Sequence, residues 1–205
     1  MNPYFRTPPV VKNLLIANCV VYLAIILLPE FNHFCTNYLR LWWVDSPLAP
    51  QFHVYQLVSY MFLHGDLSHL FFNMFALWMF GRTLEYEIGS KRFLTYYMVC
   101  GIGAALIQIG LASILGEQMI LLGASGAVMG LLLAFGLMHP NNMVLVFPIP
   151  FPIKAKWFVI GYAVLEIVLG SSGASTGVAH FAHLGGMLWG LVLLLWWKKN
   201  HKIYF

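Results

Sequence analysis

The chain has 205 residues, 60% of them hydrophobic and only 9% charged, with a formal net charge of +4. A soluble domain carries about 25% charged residues and needs polar cover, so this composition excludes an ordinary soluble globule. Several nearly charge-free runs are long enough to cross a hydrocarbon core of about 30 Å as helices, which points to an integral membrane protein.

The first ten residues, MNPYFRTPPV, are polar and proline-containing. The apolar stretch after them ends at Pro29 without a small-residue cleavage site, so it reads as a first span and not as a secretory signal. In chain order the expected spans are 11–28, 67–80, 93–115, 122–138, 157–169 and 178–197. The fold class is therefore an all-α integral membrane protein, a single domain of six transmembrane helices. The second and fifth spans are short for a full crossing, so their flanks must reach the interfaces or lie in protein-lined space.

Residues 29–66 form an unusual connection, rich in aromatics at Leu41-Trp42-Trp43-Val44 and again over 54–62. It is too apolar for a solvated loop. Pro47, Pro50, His64, Gly65 and Asp66 also break it too often for a span. An element lying in the outer interface, with its tryptophans at headgroup depth, fits this pattern. The FPIPFPIK stretch between the fourth and fifth spans reads as a stiff connector. Cys19, Cys35 and Cys100 lack metal spacing and read as packing residues.

Lysine and arginine set the orientation. With the N-terminus in the cytoplasm, the cytoplasmic pieces hold Arg6, Lys12, Arg82, Lys91, Arg92, Lys154, Lys156, Lys198, Lys199 and Lys202. That is ten of the eleven basic residues, and only Arg40 is outside. The positive-inside bias thus places both termini in the cytoplasm, in keeping with an even number of spans.

Polar side chains inside spans are costly and mark candidate sites. The second span opens with Leu67-Ser68-His69 and continues to Asn73, so His69 and Asn73, four apart, share a helix face. Asp66 or Ser68 could cap this helix. Taken alone, His69 and Asn73 could equally be hydrogen-bonding glue between helices. The fourth span contains Gly123-Ala124-Ser125-Gly126, with Gly126 and Gly130 as a small-xxx-small pair, so Ser125 alone could be a packing residue. It is not the G-x-S-x-G elbow of soluble hydrolases, because position 127 is alanine. The sixth span opens with His180-Phe181-Ala182-His183, and His183, Gly186 and Gly190 fall on one stripe.

In the orientation set by charge, all three clusters lie near the outer surface. A serine, a histidine and spare donors at one depth are the components of acyl transfer. Serine is a weak nucleophile and needs a neighbouring base, a role that histidine can fill. The oxyanion of the tetrahedral intermediate then needs preorganised donors.

At these residues the sequence resembles the rhomboid intramembrane serine proteases. The resemblance rests on HGDLSHLFFNM, GRTLEYEIGSKRF, GASGAVMG and AHFAHLGGMLWG, in this order and with this sidedness. It implies a six-helix rhomboid bundle with an interfacial loop between helices 1 and 2. It further implies that Ser125 is the nucleophile and His183 the general base, and that His180 supports them at the rim. By the same resemblance His69, Asn73 and the Ser125 backbone N–H form the oxyanion hole. His64 anchors the interfacial loop, and Glu85 ties the second span to its cytoplasmic loop. Gly186 and Gly190 allow close packing of spans four and six.

Met129 stands where many members carry an aromatic residue, and the Leu39-Arg40-Leu41-Trp42-Trp43 segment departs from the family's loop pattern. Glu166 reads as reaching the outer interface, with a substrate gate as the alternative. No buried aspartate is apparent to orient His183, so a Ser–His dyad is expected.

The expected activity is hydrolysis of peptide bonds in or near transmembrane segments, with membrane proteins as substrates and the lipid bilayer as solvent. No cofactor, metal or nucleic acid is called for, since the histidine spacing matches no zinc motif. A bacterial cytoplasmic membrane is the expected setting, with an organelle left open. Two rivals remain. A catalytically silent rhomboid-like protein binding membrane helices should lack the serine or histidine. A proton-relaying transporter should carry its polar residues near the midplane.

Overall fold

The computed structural model describes residues 6–43, 50–145, 150–172, 179–200 and 202–203. It is mostly helical. Helix α1 (Pro9–Leu27) is followed by α2 (Pro29–Phe34), a π-helical turn (Cys35–Leu39), strand β1 (Leu41–Trp43), α3 (Gln56–Ser59) and a 3-10 turn (Tyr60–Phe62). Helix α4 (Leu67–Ala76) runs through a π-helical turn (Leu77–Gly81) into α5 (Arg82–Ile88). Helix α6 (Ser90–Leu115), strand β2 (Met119–Leu121) and α7 (Ser125–Met138) come next. Strands β3 (Met143–Val144) and β4 (Ile153–Lys154) precede α8 (Ala155–Ser171) and α9 (His180–Lys199).

Among the described residues, three helices, α1, α6 and α9, are long and apolar enough to cross a membrane by length and composition. The expected span boundaries shift in places. The second span continues without interruption to Ile88. The fourth helix starts at Ser125 instead of 122, because Leu121 belongs to β2 and Gly123 has φ +113°, a left-handed conformation that helix excludes. The fifth is longer than expected, and residue 178, the expected start of the sixth, lies outside the described residues.

The core is built where α6, α7 and α9 meet. Small residues make this possible. Gly126 of α7 abuts Ala104 of α6, Gly130 abuts Cys100, and Gly185 of α9 abuts Ile107. Gly186 meets the Gly126 backbone, as expected of spans four and six. Gly190 does not: it faces Tyr96 and Cys100 of α6, so its partner is span three. Tyr96 in turn donates its hydroxyl to the Gly130 carbonyl at 2.8 Å, joining α6 to α7.

Outward faces are apolar. On α8, Ile160, Val164, Leu165, Ile167 and Val168 are exposed while Glu166 is buried. That inversion of the soluble pattern suits hydrocarbon outside and a polar interior.

The long connection is more structured than a loop, and the fold is not strictly all-α. Strand β1 pairs antiparallel with β2, Leu41 opposite Leu121 and Trp43 opposite Met119. Buried Gln56 accepts from the His53 N–H and donates to the Tyr38 carbonyl, and Ser59 donates to the Leu39 carbonyl. Tyr60 closes the arrangement: its hydroxyl donates to the Gly101 carbonyl, and its own carbonyl accepts from the Gly123 N–H. This connecting segment is thereby tied to the residues just before Ser125. A second ladder, β3 with β4, brackets the proline-rich connector, of which residues 146–149 lie outside the described residues.

At the opposite end of the bundle, Glu85 accepts from the backbone N–H groups of Val10 and Val11 at 2.9 and 2.8 Å and from Ser90 Oγ. These N–H groups belong to the first turn of α1, which has no carbonyl partners of its own. Glu85 therefore caps α1, a wider role than tying the second span to its own loop. His139, just past α7, meets Glu87 at 3.0 Å, so the basic stretch around Arg82, Lys91 and Arg92 lies at the end of α7 remote from Ser125.

Candidate active site

Ser125 is the first residue of α7. The left-handed Gly123 turns the chain out of β2, and the helix begins two residues later, so the Ser125 N–H has no carbonyl one turn back inside its own helix. His183 sits in the first turn of α9, and its Nε2 lies 2.8 Å from Ser125 Oγ. The closely packed glycines bring the N-terminal ends of α7 and α9 together and so create this contact.

A cavity of about 620 Å³ lies over the pair, lined among others by His69, Asn73, Ser125, Met129, Tyr162 and His183. Its rim includes Gly65, Asp66 and Ser68, all exposed, so water has a route to the serine. The three polar clusters of the second, fourth and sixth spans thus converge on one cavity at one end of the bundle.

His69 is positioned from both sides. Asp66 caps α4, its carboxylate accepting from the His69 N–H at 2.8 Å and from the Ser68 hydroxyl. These two donors hold the Asp66 carboxyl below its usual range. Ser68 therefore supports the cap instead of forming it. The imidazole of His69 occupies the space where a Gly123 side chain would be, its Nε2 2.6 Å from the position of a β-carbon there. The Gly65 N–H faces His69 Nδ1 at 3.5 Å, a long contact that favours hydrogen on Nε2, the atom turned toward Gly123. Asn73, on the same face, gives its side-chain N–H to the His69 carbonyl at 3.0 Å.

His64 packs edge-on against His69, with ring centroids 5.0 Å apart, and is itself buried. Burial first, and the neighbouring His69 second, push its pKa down to about 4, so it is neutral at physiological pH. Met129, which stands where many rhomboid members carry an aromatic residue, lines the cavity beside Ser125 and His183.

Two expectations need correction. Glu166 does not reach the interface: it is only 3% exposed and turns inward from α8. One carboxylate oxygen lies 2.9 Å from His183 Nδ1 and the other 2.6 Å from His180 Nδ1. His180 is accordingly buried against α8 and not at the rim. A buried carboxylate therefore does face His183, and it is a glutamate of α8. The available signal was an isolated ionisable residue within an apolar span.

No group of three or more histidine, cysteine, aspartate or glutamate side chains suited to a metal ion occurs among the described residues.

The family model of the Rhomboid domain matches residues 51–199, which include every residue of this cavity. The chain is 30% identical over 199 residues to the mitochondrial Rhomboid protein 1 of Saccharomyces cerevisiae, covering 92% of this chain and 54% of that protein. It is 30% identical to the chloroplastic Rhomboid-like protein 11 of Arabidopsis thaliana, covering 68% of this chain and 51% of the relative. It is 29% identical to the Rhomboid protease AarA of Providencia stuartii, covering 70% and 56% respectively. The chain thus spans about half the length of these relatives. They come from mitochondria, chloroplasts and a bacterium, so kinship does not favour the bacterial cytoplasmic membrane over an organelle. Motif order, the convergence of those motifs on one cavity and the extent of the match lead to one conclusion: this chain belongs to the rhomboid family.

Proposed function

We propose that this protein is an intramembrane serine endopeptidase that hydrolyses peptide bonds in or next to the transmembrane segments of membrane-protein substrates. The observation that carries this reading is the 2.8 Å contact between Ser125 Oγ and His183 Nε2 beneath a water-accessible cavity.

In the first step Ser125 Oγ attacks the scissile carbonyl carbon while its proton passes to His183 Nε2. The carbonyl oxygen becomes an oxyanion, for which the Ser125 N–H, the His69 ring and the Asn73 amide are the donors. Each such donor is worth about 3–4 kcal/mol in the transition state. Collapse breaks the C–N bond, and the proton on His183 goes to the leaving amine. Water then attacks the acyl-serine and gives a proton to His183, which returns it to Ser125 as the C–O bond breaks. Asn73 must turn from the His69 carbonyl to reach the oxyanion.

The substrate helix has to unwind at the cut, because unpaired backbone in hydrocarbon costs several kcal/mol per group. Segments containing glycine or proline are therefore the preferred substrates. The reading keeps six spans, both termini in the cytoplasm and the cavity opening outward. The clustering of basic residues at the far end of the bundle supports that orientation.

The test is cleavage of a reconstituted transmembrane substrate by wild type, Ser125→Ala and His183→Ala. Cutting by wild type alone, with all three proteins folded, supports the reading. Cutting by Ser125→Ala overturns it. A silent wild type, across several substrates with helix-weak segments, favours a protein that binds membrane helices without cleaving them.

A further inference from the structure

The geometry points to Glu166 as a third member of the catalytic array, a positioning residue that makes a Glu–His–Ser relay out of the Ser125–His183 pair. This inference rests on the serine-protease reading above. It concerns a residue that the Ser–His dyad leaves out.

Three observations carry it. First, Glu166 Oε1 faces His183 Nδ1 at 2.9 Å, and the opposite nitrogen of the same ring faces Ser125 Oγ at 2.8 Å. A carboxylate is an acceptor only, so it selects the tautomer with hydrogen on Nδ1. Nε2 is then left with its lone pair toward the serine, as a general base requires. When Nε2 takes the serine proton, the imidazolium forms beside an anion.

Second, the carboxylate is held from its other side. His180 Nδ1 lies 2.6 Å from Oε2, so both oxygens have a nitrogen partner from the same helix. His180 and His183 are three apart, one turn of α9, and the carboxylate bridges them from α8. A side chain clamped at both oxygens loses little freedom at the moment of reaction, which is the condition for electrostatic preorganisation.

Third, the placement is costly unless it is used. Glu166 on α8 is 3% exposed and His183 on α9 8%, while the neighbours of Glu166 in sequence, Val164, Leu165, Ile167 and Val168, face outward. Ionisable groups inside a membrane helix are expensive and need partners. A structural tie between α8 and α9 could be made by neutral residues, whereas stabilising an imidazolium needs the charge.

The experiment compares wild type with Glu166→Gln and Glu166→Asp, using steady-state cleavage of a transmembrane substrate, thermal unfolding in detergent and the rate of Ser125 labelling by a fluorophosphonate. Glutamine keeps the shape and loses the charge. We expect Glu166→Gln to lower kcat about 100- to 10,000-fold with KM within about threefold of wild type, and to slow labelling in parallel. Glu166→Asp should recover part of the loss.

A Glu166→Gln protein that melts earlier but keeps kcat and labelling within about threefold would overturn the proposal and leave a structural tie. If Glu166→Gln does not fold, Glu166→Met, uncharged and of similar length, decides: a fall in kcat of tenfold or more at unchanged KM upholds the role, and an unchanged kcat overturns it. Wild type and Ser125→Ala run alongside, so that failure of the protease reading is seen separately from failure of the Glu166 role.

Discussion

A β-carbon placed on Gly186 would lie 1.9 Å from the carbonyl oxygen of Gly126. Helices α9 and α7 therefore touch backbone to backbone, one turn below the Ser125–His183 contact. That closeness lets two side chains on different helices meet at hydrogen-bond distance, so the Ser125–His183 contact depends on an absent methyl group.

Gly186→Ala should accordingly separate the two helices, because the obstacle is backbone and cannot rotate away. Overpacking of this kind costs about 1–3 kcal/mol. Thermal unfolding should show a midpoint lowered by several degrees, and cleavage should fall with it. Gly161→Ala is the control: Gly161 is exposed on α8 with nothing within 4 Å of a built β-carbon. That change should leave activity intact and be neutral or mildly stabilising, since alanine is the better helix former by about 1 kcal/mol.

Gly123→Ala tests a different dependence. Its φ of +113° disfavours any side chain, and the added carbon would contact the His69 ring at 2.6 Å. The ring can move, so the protein should fold, but it would move away from the oxyanion position. The expected result is a melting point lowered by the backbone strain, and in the folded fraction a loss of kcat of about 100-fold or more, the signature of a lost transition-state donor. Unchanged kcat would remove His69 from the oxyanion hole.

Glu85 acts far from the chemistry. Its carboxylate satisfies two first-turn N–H groups of α1 and the Ser90 hydroxyl in a buried site. Glu85→Ala leaves these donors unpaired, at a cost of about 2–4 kcal/mol. Melting should drop, whereas the kcat of the folded fraction should hold.

His64 should make stability pH-dependent. Its pKa in the folded protein is about 4, lowered from 6.5, so between these values the unfolded chain binds the extra proton. Stability then rises with pH through that window and is lost as pH falls from about 6.5 toward 4. By pH 5 the loss from this one group is about 2 kcal/mol. The midpoint of wild type should fall between pH 7 and pH 5 in detergent, and His64→Leu should show a shallower slope. Equal slopes would mean that other groups carry the dependence.

Much of the site could be read from the chain itself. Ser125, His183, His69 and Asn73 stand out because polar residues inside apolar runs are expensive, and the basic residues put their spans in register. Charge pattern and hydropathy are properties of segments, so they survive without knowledge of contacts. The end cluster of Asp66, Ser68 and His69 was equally local, a helix cap written in adjacent residues.

Glu166 and the β1–β2 ladder were not local. Helix α8 is apolar nearly all round, so its pattern does not say which face turns inward, and the rotation is set by packing against α7 and α9. Only that rotation distinguishes a carboxylate reaching the interface from one bridging two histidines. The pairing of Leu41 with Leu121 likewise joins segments far apart in sequence, each too short to declare itself a strand. The partner of Gly190 was decided in the same way, by the lie of α9 against α6. The chain alone thus carried the membrane class, the charge pattern and the chemical components. Tertiary packing decided which of those components touch, because contact depends on helix rotation and separation that no segment encodes by itself.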